Sequence, residues 1–198
     1  MTSQTQAEHA LVKALAGGEE RAFNELVGRY HRSLVRLARN FVRSEAIAEE
    51  VAQDTWCAVM TGIGRFEARS SLKTWIFAIC VNKARTRGER EQRTIPFSSM
   101  TAEGEDGARL AVESRAWDDP ERRAVSLELR TDLREALEVL PDRQRLMVTL
   151  RDVEGLDIEE ICPLLRVSPG NARVLLHRGR ARLRVLLAEA LDAVPAAV

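Results

Sequence analysis

The chain has 198 residues, 45% hydrophobic, 30% charged and 5% aromatic, and its 30 basic and 30 acidic side chains cancel to a formal charge of zero. Such a length exceeds a typical domain of about 100–150 residues, so two small cores joined by a linker are expected, and the composition favours an all-α fold over a β-rich one. Zero net charge excludes a uniformly cationic nucleic-acid binder, and Cys57, Cys80 and Cys162, with neither CxxC pairing nor a histidine at metal spacing, argue against a zinc site or a disulfide framework.

Met1 to Ala10 is polar, with no apolar signal-peptide core, and no run of about 18 apolar residues follows, so the reading is a cytoplasmic protein without membrane insertion. From Arg21 to Val42, Phe23, Leu26, Val27, Tyr30, Leu34, Leu37, Ala38 and Phe41 recur at three- and four-residue spacing, which predicts an amphipathic helix with Arg29, Arg32, Arg36 and Arg39 off the stripe. A second helix, about Glu45 to Met60, sets Ile47, Val51, Thr55 and Val59 against Glu49, Glu50, Gln53 and Asp54, and Gly62-Ile63-Gly64 ends it. After a loop from Arg65 to Ser71, a third helix from about Leu72 to Arg87 has Trp75, Ile76, Ile79 and Cys80 as its expected core face, with Trp75 read as core rather than as a stacking platform. Three such helices make a bundle.

Between about Glu89 and Asp119 the periodicity dissolves into Ser, Gly and acidic residues, the composition of a flexible acidic linker placed at residues 94–124. Helices over Leu127–Leu140 and Pro141–Val153 follow. Asp157-Ile158-Glu159-Glu160 then has the form of a capping box that starts a short helix, and Val167-Ser168-Pro169 supplies a turn, an N-cap serine and an N1 proline before a longer helix to about Ala190. Short helix, tight turn and longer basic helix form a helix-turn-helix pattern.

Charge is distributed unevenly. Arg65 to Arg93 holds eight bases and three acids, and Arg166 to Arg184 holds six bases and no acid. In the last helix, Ala172, Leu176, Gly179, Leu183 and Leu186 form an apolar stripe, so the other faces are free to enter a major groove. Ser168, Asn171, Arg173, His177, Arg178 and Arg180 are the candidate DNA contacts there, the first helical turns reaching bases and the later arginines phosphate. Arg65, Arg69, Ser70, Ser71, Lys73, Asn82, Lys83, Arg85 and Arg87 form a second candidate site, in which small hydroxyl residues and a basic helix suit an unstacked single strand.

These residues carry a family resemblance. Glu49 to Trp56, Arg65-Phe66 through Ser70 to Ile76, Val81-Asn82, Leu140-Pro141 with Gln144-Arg145, and Gly155-Leu156 to Leu183 closely resemble the extracytoplasmic-function σ factors, over about residues 10–93 and 125–190. The resemblance implies that residues 10–93 read and melt the −10 promoter element and that residues 125–190 read the −35 element. It implies that Glu49, Glu50, Gln53, Asp54 and Trp56 dock on the β′ clamp helices of core RNA polymerase, that the β flap is a further contact, and that Asn82 with the Ser70-Ser71 loop handles a flipped −10 base. An anti-σ protein is the other implied partner.

Four positions depart from the family pattern: Val174, Leu175, Arg166 where glycine is common, and Pro163 inside the first helix of the motif. Pro163 is expected to distort the turn, and a left-handed Arg166 would cost about 1 kcal/mol. A dimeric helix-turn-helix regulator is the alternative reading. Against an enzyme, His9, His31 and His177 lie in separate elements, and neither a phosphate loop nor an HExxH or Ser/His/Asp signature occurs, so no catalytic residue, metal, cofactor or small-molecule substrate is expected.

Overall fold

The computed structural model describes residues 3–93 and 133–192, and among these it is helical throughout, without a strand. The expected linker, residues 94–124, lies outside the described residues. The first cluster contains α1 (Ser3–Ala16), α2 (Glu20–Ala38), α3 (Glu45–Gly62), a 3-10 turn at Ile63–Arg65 and α4 (Leu72–Arg93). The second contains α5 (133–139), α6 (Asp142–Val148), which runs on into a π-helical turn at Thr149–Val153, α7 (Ile158–Leu165) and α8 (Pro169–Asp192).

The apolar spacing of α2 becomes its packing: Leu26, Leu34, Leu37 and Ala38 are buried, while Arg29, Arg32, Arg36 and Arg39 stay exposed. Ser44 caps α3 by accepting the Ile47 backbone N–H at 3.2 Å, a contact worth about 1 kcal/mol. Helix α3 turns a wide stripe inward, with Ala48, Val51, Ala52, Thr55, Trp56 and Val59 all buried. On α4 the core face is Leu72, Ile76, Phe77, Cys80, Val81 and Ala84. It is rotated from the expected one, so that Trp75 is only half-buried and packs on Phe66, ring centroids 5.3 Å apart. Burial pushes the Cys80 thiol up to about 12.

Two glycines set helix distances. A Cβ on Gly88 would lie 2.2 Å from the Phe41 carbonyl oxygen, so α4 can reach the segment after α2 only because position 88 has no side chain. Gly179 plays the same part between α8 and α6, where a Cβ would stand 2.8 Å from Val148 Cγ2.

The helix-turn-helix is formed by α7 and α8. Glu160 reaches back to accept the Asp157 backbone N–H at 2.9 Å and closes the expected capping box. Ser168 accepts the Asn171 N–H at 3.3 Å, and Pro169 is the first helical residue of α8. Arg166 ends α7 with φ 56° and ψ 48°, the left-handed conformation that glycine adopts most readily. Pro163 lies inside α7, which runs through it to Leu165. Its ring is exposed, so the turn that loses a backbone donor faces water.

Candidate nucleic-acid interface

On α8, the absence of acids across Arg166–Arg184 becomes an open cationic face. Asn171, Arg173, His177 and Arg178 are exposed, and the side chains of Arg173, His177 and Arg178 make no hydrogen bond or ion pair among the described residues. Packing of Ala172, Leu176, Gly179 and Leu183 inward holds that face toward solvent. Arg180 differs. It is paired to Asp152 of the π turn at 2.5 and 2.9 Å, and this carboxylate raises its pKa and holds it to its own domain.

The Arg65–Arg87 group forms a second cationic surface at the start of α4 and along it. Ser71 caps α4, its Oγ accepting the Thr74 N–H at 3.1 Å and pairing with Thr74 Oγ1 at 2.7 Å. Glu8 of α1 accepts the N–H of Leu72, so the first helix fixes the same cap from the other side. Arg69 pairs with Glu67 at 2.5 Å across Ala68, which is held at φ 53°. Arg65, Ser70 and Asn82 are exposed. Lys83 is half-buried, and Arg87 pairs with Glu50 of α3 at 2.8 Å.

The second cluster reaches this surface. Lys73 donates to the Glu154 backbone oxygen and stands 3.2 Å from the Glu154 carboxylate, which also accepts from Arg36 at 3.1 Å. The Glu154 side chain is 6% exposed, so the two cations compensate a carboxylate withdrawn from water. Glu160 uses its second oxygen to accept from Thr74 Oγ1 at 2.6 Å and from Ser71 Oγ at 3.4 Å. Arg85 donates to the Leu164 carbonyl at 3.4 Å, and Arg145 donates to Asn40 at 2.7 Å.

The third group of candidates lies on α3. Glu50, Gln53 and Asp54 are exposed and Glu49 is half-buried. Trp56 is not on that surface, contrary to its place in the expected docking set. It is 6% exposed, lies edge-to-face against Phe23 at 5.9 Å, and donates its indole N–H to His31 Nδ1 at 3.2 Å.

Two family models match: σ-70 region 2 over residues 26–94 and σ-70 region 4 over residues 130–183, together covering more than half of the chain. The chain is 29% identical to the RNA polymerase sigma-H factor of Pseudomonas aeruginosa over 91% of its own length and 93% of that protein's. It is 29% identical to the ECF RNA polymerase sigma-E factor of Haemophilus influenzae, covering 87% of this chain and 91% of that one. The chain belongs to the extracytoplasmic-function σ factors of the σ-70 family. Among solved structures, CnrH in complex with the cytosolic domain of CnrY matches with a TM-score of 0.58 and 26% identity, over 92% of this chain and 98% of that one. The sigma factor RpoE of Bartonella quintana, solved with the anti-sigma factor NepR, shares the fold at a TM-score of 0.58, with 23% identity over 84% of this chain and 96% of that one.

As a σ factor the protein binds RNA polymerase and confers promoter recognition; it is not a catalyst. Among its described residues no helix is long and apolar enough to cross a membrane. Sequence reasoning missed Glu8, His31, Glu154 and Glu160. Their partners are far along the chain, from 18 residues for His31–Glu49 to 118 for Arg36–Glu154, where no local pattern reaches.

Proposed function

We propose that this σ factor divides promoter reading between its two helix clusters, residues 125–190 taking the −35 duplex and residues 10–93 the −10 element. The observation that carries the assignment is the uncovered face of α8 behind a capped turn, with Asn171, Arg173, His177 and Arg178 turned outward. A helix so presented fits the major groove, and an arginine pairing bidentately with guanine supplies about 1–3 kcal/mol of discrimination. Ser168 and Arg180 flank this face and contact phosphate, Arg180 by exchanging Asp152 for DNA.

The −10 element falls to Arg65, Arg69, Ser70, Ser71 and Lys73 with Asn82, Lys83, Arg85 and Arg87. Exposed Asn82 and Ser70 suit the polar edge of an unstacked base, and the cations suit its backbone. Because Ser71, Lys73 and Arg85 bond to the second cluster, strand capture exchanges those bonds for bonds to DNA. Once both clusters sit on polymerase, capture of the displaced strand and duplex contacts together offset the cost of melting.

Glu49, Glu50, Gln53 and Asp54 form the acidic face that meets the β′ clamp helices, with Trp56 supporting it from beneath. An apolar groove lined by Leu133, Leu137, Val148, Val153, Leu183 and Leu187 suits the β flap. CnrH, solved with the cytosolic domain of CnrY, supports a protein partner besides polymerase, which the family resemblance makes an anti-σ protein, and the site of action is the cytoplasm, with the polymerase.

The test is multi-round transcription by bacterial core polymerase on a promoter-fragment library, with the wild-type chain, with the Arg173→Ala/Arg178→Ala variant, and without either. New start sites that share −35 and −10 elements are expected with the wild type and are lost with the variant. Start sites unchanged in the variant would remove −35 reading from α8, and a native mass of twice the chain with no binding to core would favour the dimeric regulator.

A further inference from the structure

The mechanism above leaves His31 without a task, yet this residue joins two members of the α3 docking set. Its Nε2 lies 2.9 Å from Glu49 Oε2, and its Nδ1 lies 3.2 Å from the indole nitrogen of Trp56. We infer that His31 is a positioning residue for polymerase docking: a neutral imidazole that ties the half-exposed Glu49 carboxylate to the buried Trp56 and so fixes the acidic face of α3. The inference rests on the reading of that face as the polymerase-docking surface.

The proton assignment follows from chemistry. An indole N–H only donates, so Nδ1 must accept, and the imidazole proton therefore sits on Nε2, which donates to Glu49. An imidazolium would place a second N–H against that of Trp56 and break this link. Trp56 is itself held by packing, being 6% exposed and set edge-to-face on Phe23. The chain of contacts thus runs from the core, through a rigid ring, to a carboxylate at the surface, and removes rotamer freedom that docking would otherwise have to freeze.

Comparison with the next carboxylate shows why a histidine serves here. Glu50 is paired with Arg87 at 2.8 Å, a full counter-charge that docking must displace or share. A neutral ring holds Glu49 in place and leaves its negative charge uncancelled for a cationic partner surface.

The test measures affinity of the full chain for core polymerase in four variants, with thermal melts alongside. His31→Phe keeps a ring and loses both bonds, and core binding is expected to weaken by about tenfold, the scale of one charge-assisted hydrogen bond. His31→Gln retains a donor toward Glu49 and is expected to recover binding to within about threefold of wild type, since only the weaker neutral bond is lost. Trp56→Phe, which keeps the packing and loses the N–H, is expected to move the imidazole 15N resonances of His31 away from those of a pure Nε2–H tautomer.

His31→Phe binding core as tightly as wild type overturns the inference, as does His31→Gln binding as poorly as His31→Phe at equal melting temperature. Gln53→Ala/Asp54→Ala separates the two levels of failure. If that variant binds core like the wild type, the docking-face reading falls; if it binds weakly while His31→Phe does not, only the role of His31 falls.

Discussion

The two proposed nucleic-acid surfaces of this σ factor are kept in opposite states. In the first turns of α8 the cations have no partner among the described residues, whereas Ser71, Lys73 and Arg85, at the start of α4 and along it, are each bonded to oxygen atoms of the other cluster. Both surfaces are basic, and what separates them is where the acids lie. Glu154 and Glu160 belong to the second cluster but spend their charge on the first, while α8 has no acid of its own before its last turns. A chain of zero net charge therefore presents one open cationic face and one that is neutralised from within.

The largest expected effect falls on the open side. With two base-reading contacts at about 1–3 kcal/mol each, Arg173→Ala/Arg178→Ala is expected to lower initiation at −35-dependent promoters by at least about thirtyfold in the transcription assay. The melting temperature should stay within a degree or two, because neither side chain packs on the core. An equal loss at promoters with a scrambled −35 element would break the contrast between the faces.

Next in size is Gly88→Ala, which forces a methyl group against the Phe41 carbonyl oxygen and is expected to destabilise the first cluster by about 1–3 kcal/mol in urea titration. Gly179→Ala should cost less, since the atom in its way is a methyl of Val148 rather than backbone. Similar costs at both positions would show that the two helix packings are equally rigid.

Glu154→Gln addresses the closed side directly. It removes the charge shared by Lys73 and Arg36 while keeping the shape, so the free protein is expected to bind a single-stranded −10 oligonucleotide about three- to tenfold more tightly, on the scale of one released charge contact, measured by fluorescence anisotropy. Binding to a −35 duplex should not change. The smallest effect is expected at the turn between α7 and α8: Arg166→Gly relieves a left-handed non-glycine residue and should add about 1 kcal/mol to the stability of the second cluster by denaturant titration.

Much of the fold was legible because helix burial repeats every three or four residues. Helices α2 and α3 follow from apolar spacing, and the capping box at Asp157 and the Ser168-Pro169 start of α8 from the residue types that cap helices. Helix α1 did not, because Met1–Ala10 is polar and the anchor, Leu15, lies near its end. The extension of α4 from Arg87 to Arg93 runs through a polar sequence without an apolar stripe, and the π turn at Thr149–Val153 has no spacing signature in so short a segment.

Of the candidate sites, the exposed cationic face of α8, proposed to read the −35 element, was legible as an acid-free stretch. The placement of Trp56 was within reach of the sequence too: continuing the inward series Ala48, Ala52, Trp56 and Val59 at helical spacing carries the indole into the core. What spacing cannot show is long-range pairing. That Ser71 caps its helix is a local matter, but that Glu160 covers the same hydroxyl depends on a contact 89 residues away.

The cysteines, exceptional only for lacking a pattern, give the molecule a built-in reporter. Cys80 is fully buried with its thiol pushed up to about 12, and Cys162 is buried on α7, whereas Cys57 is exposed one helical turn beyond Gln53 on the acidic face of α3. A thiolate is the reactive form, so a maleimide dye at neutral pH should mark position 57 and spare the other two while the chain is folded. The wild-type protein can thus carry a fluorophore beside its proposed polymerase contact without an engineered substitution.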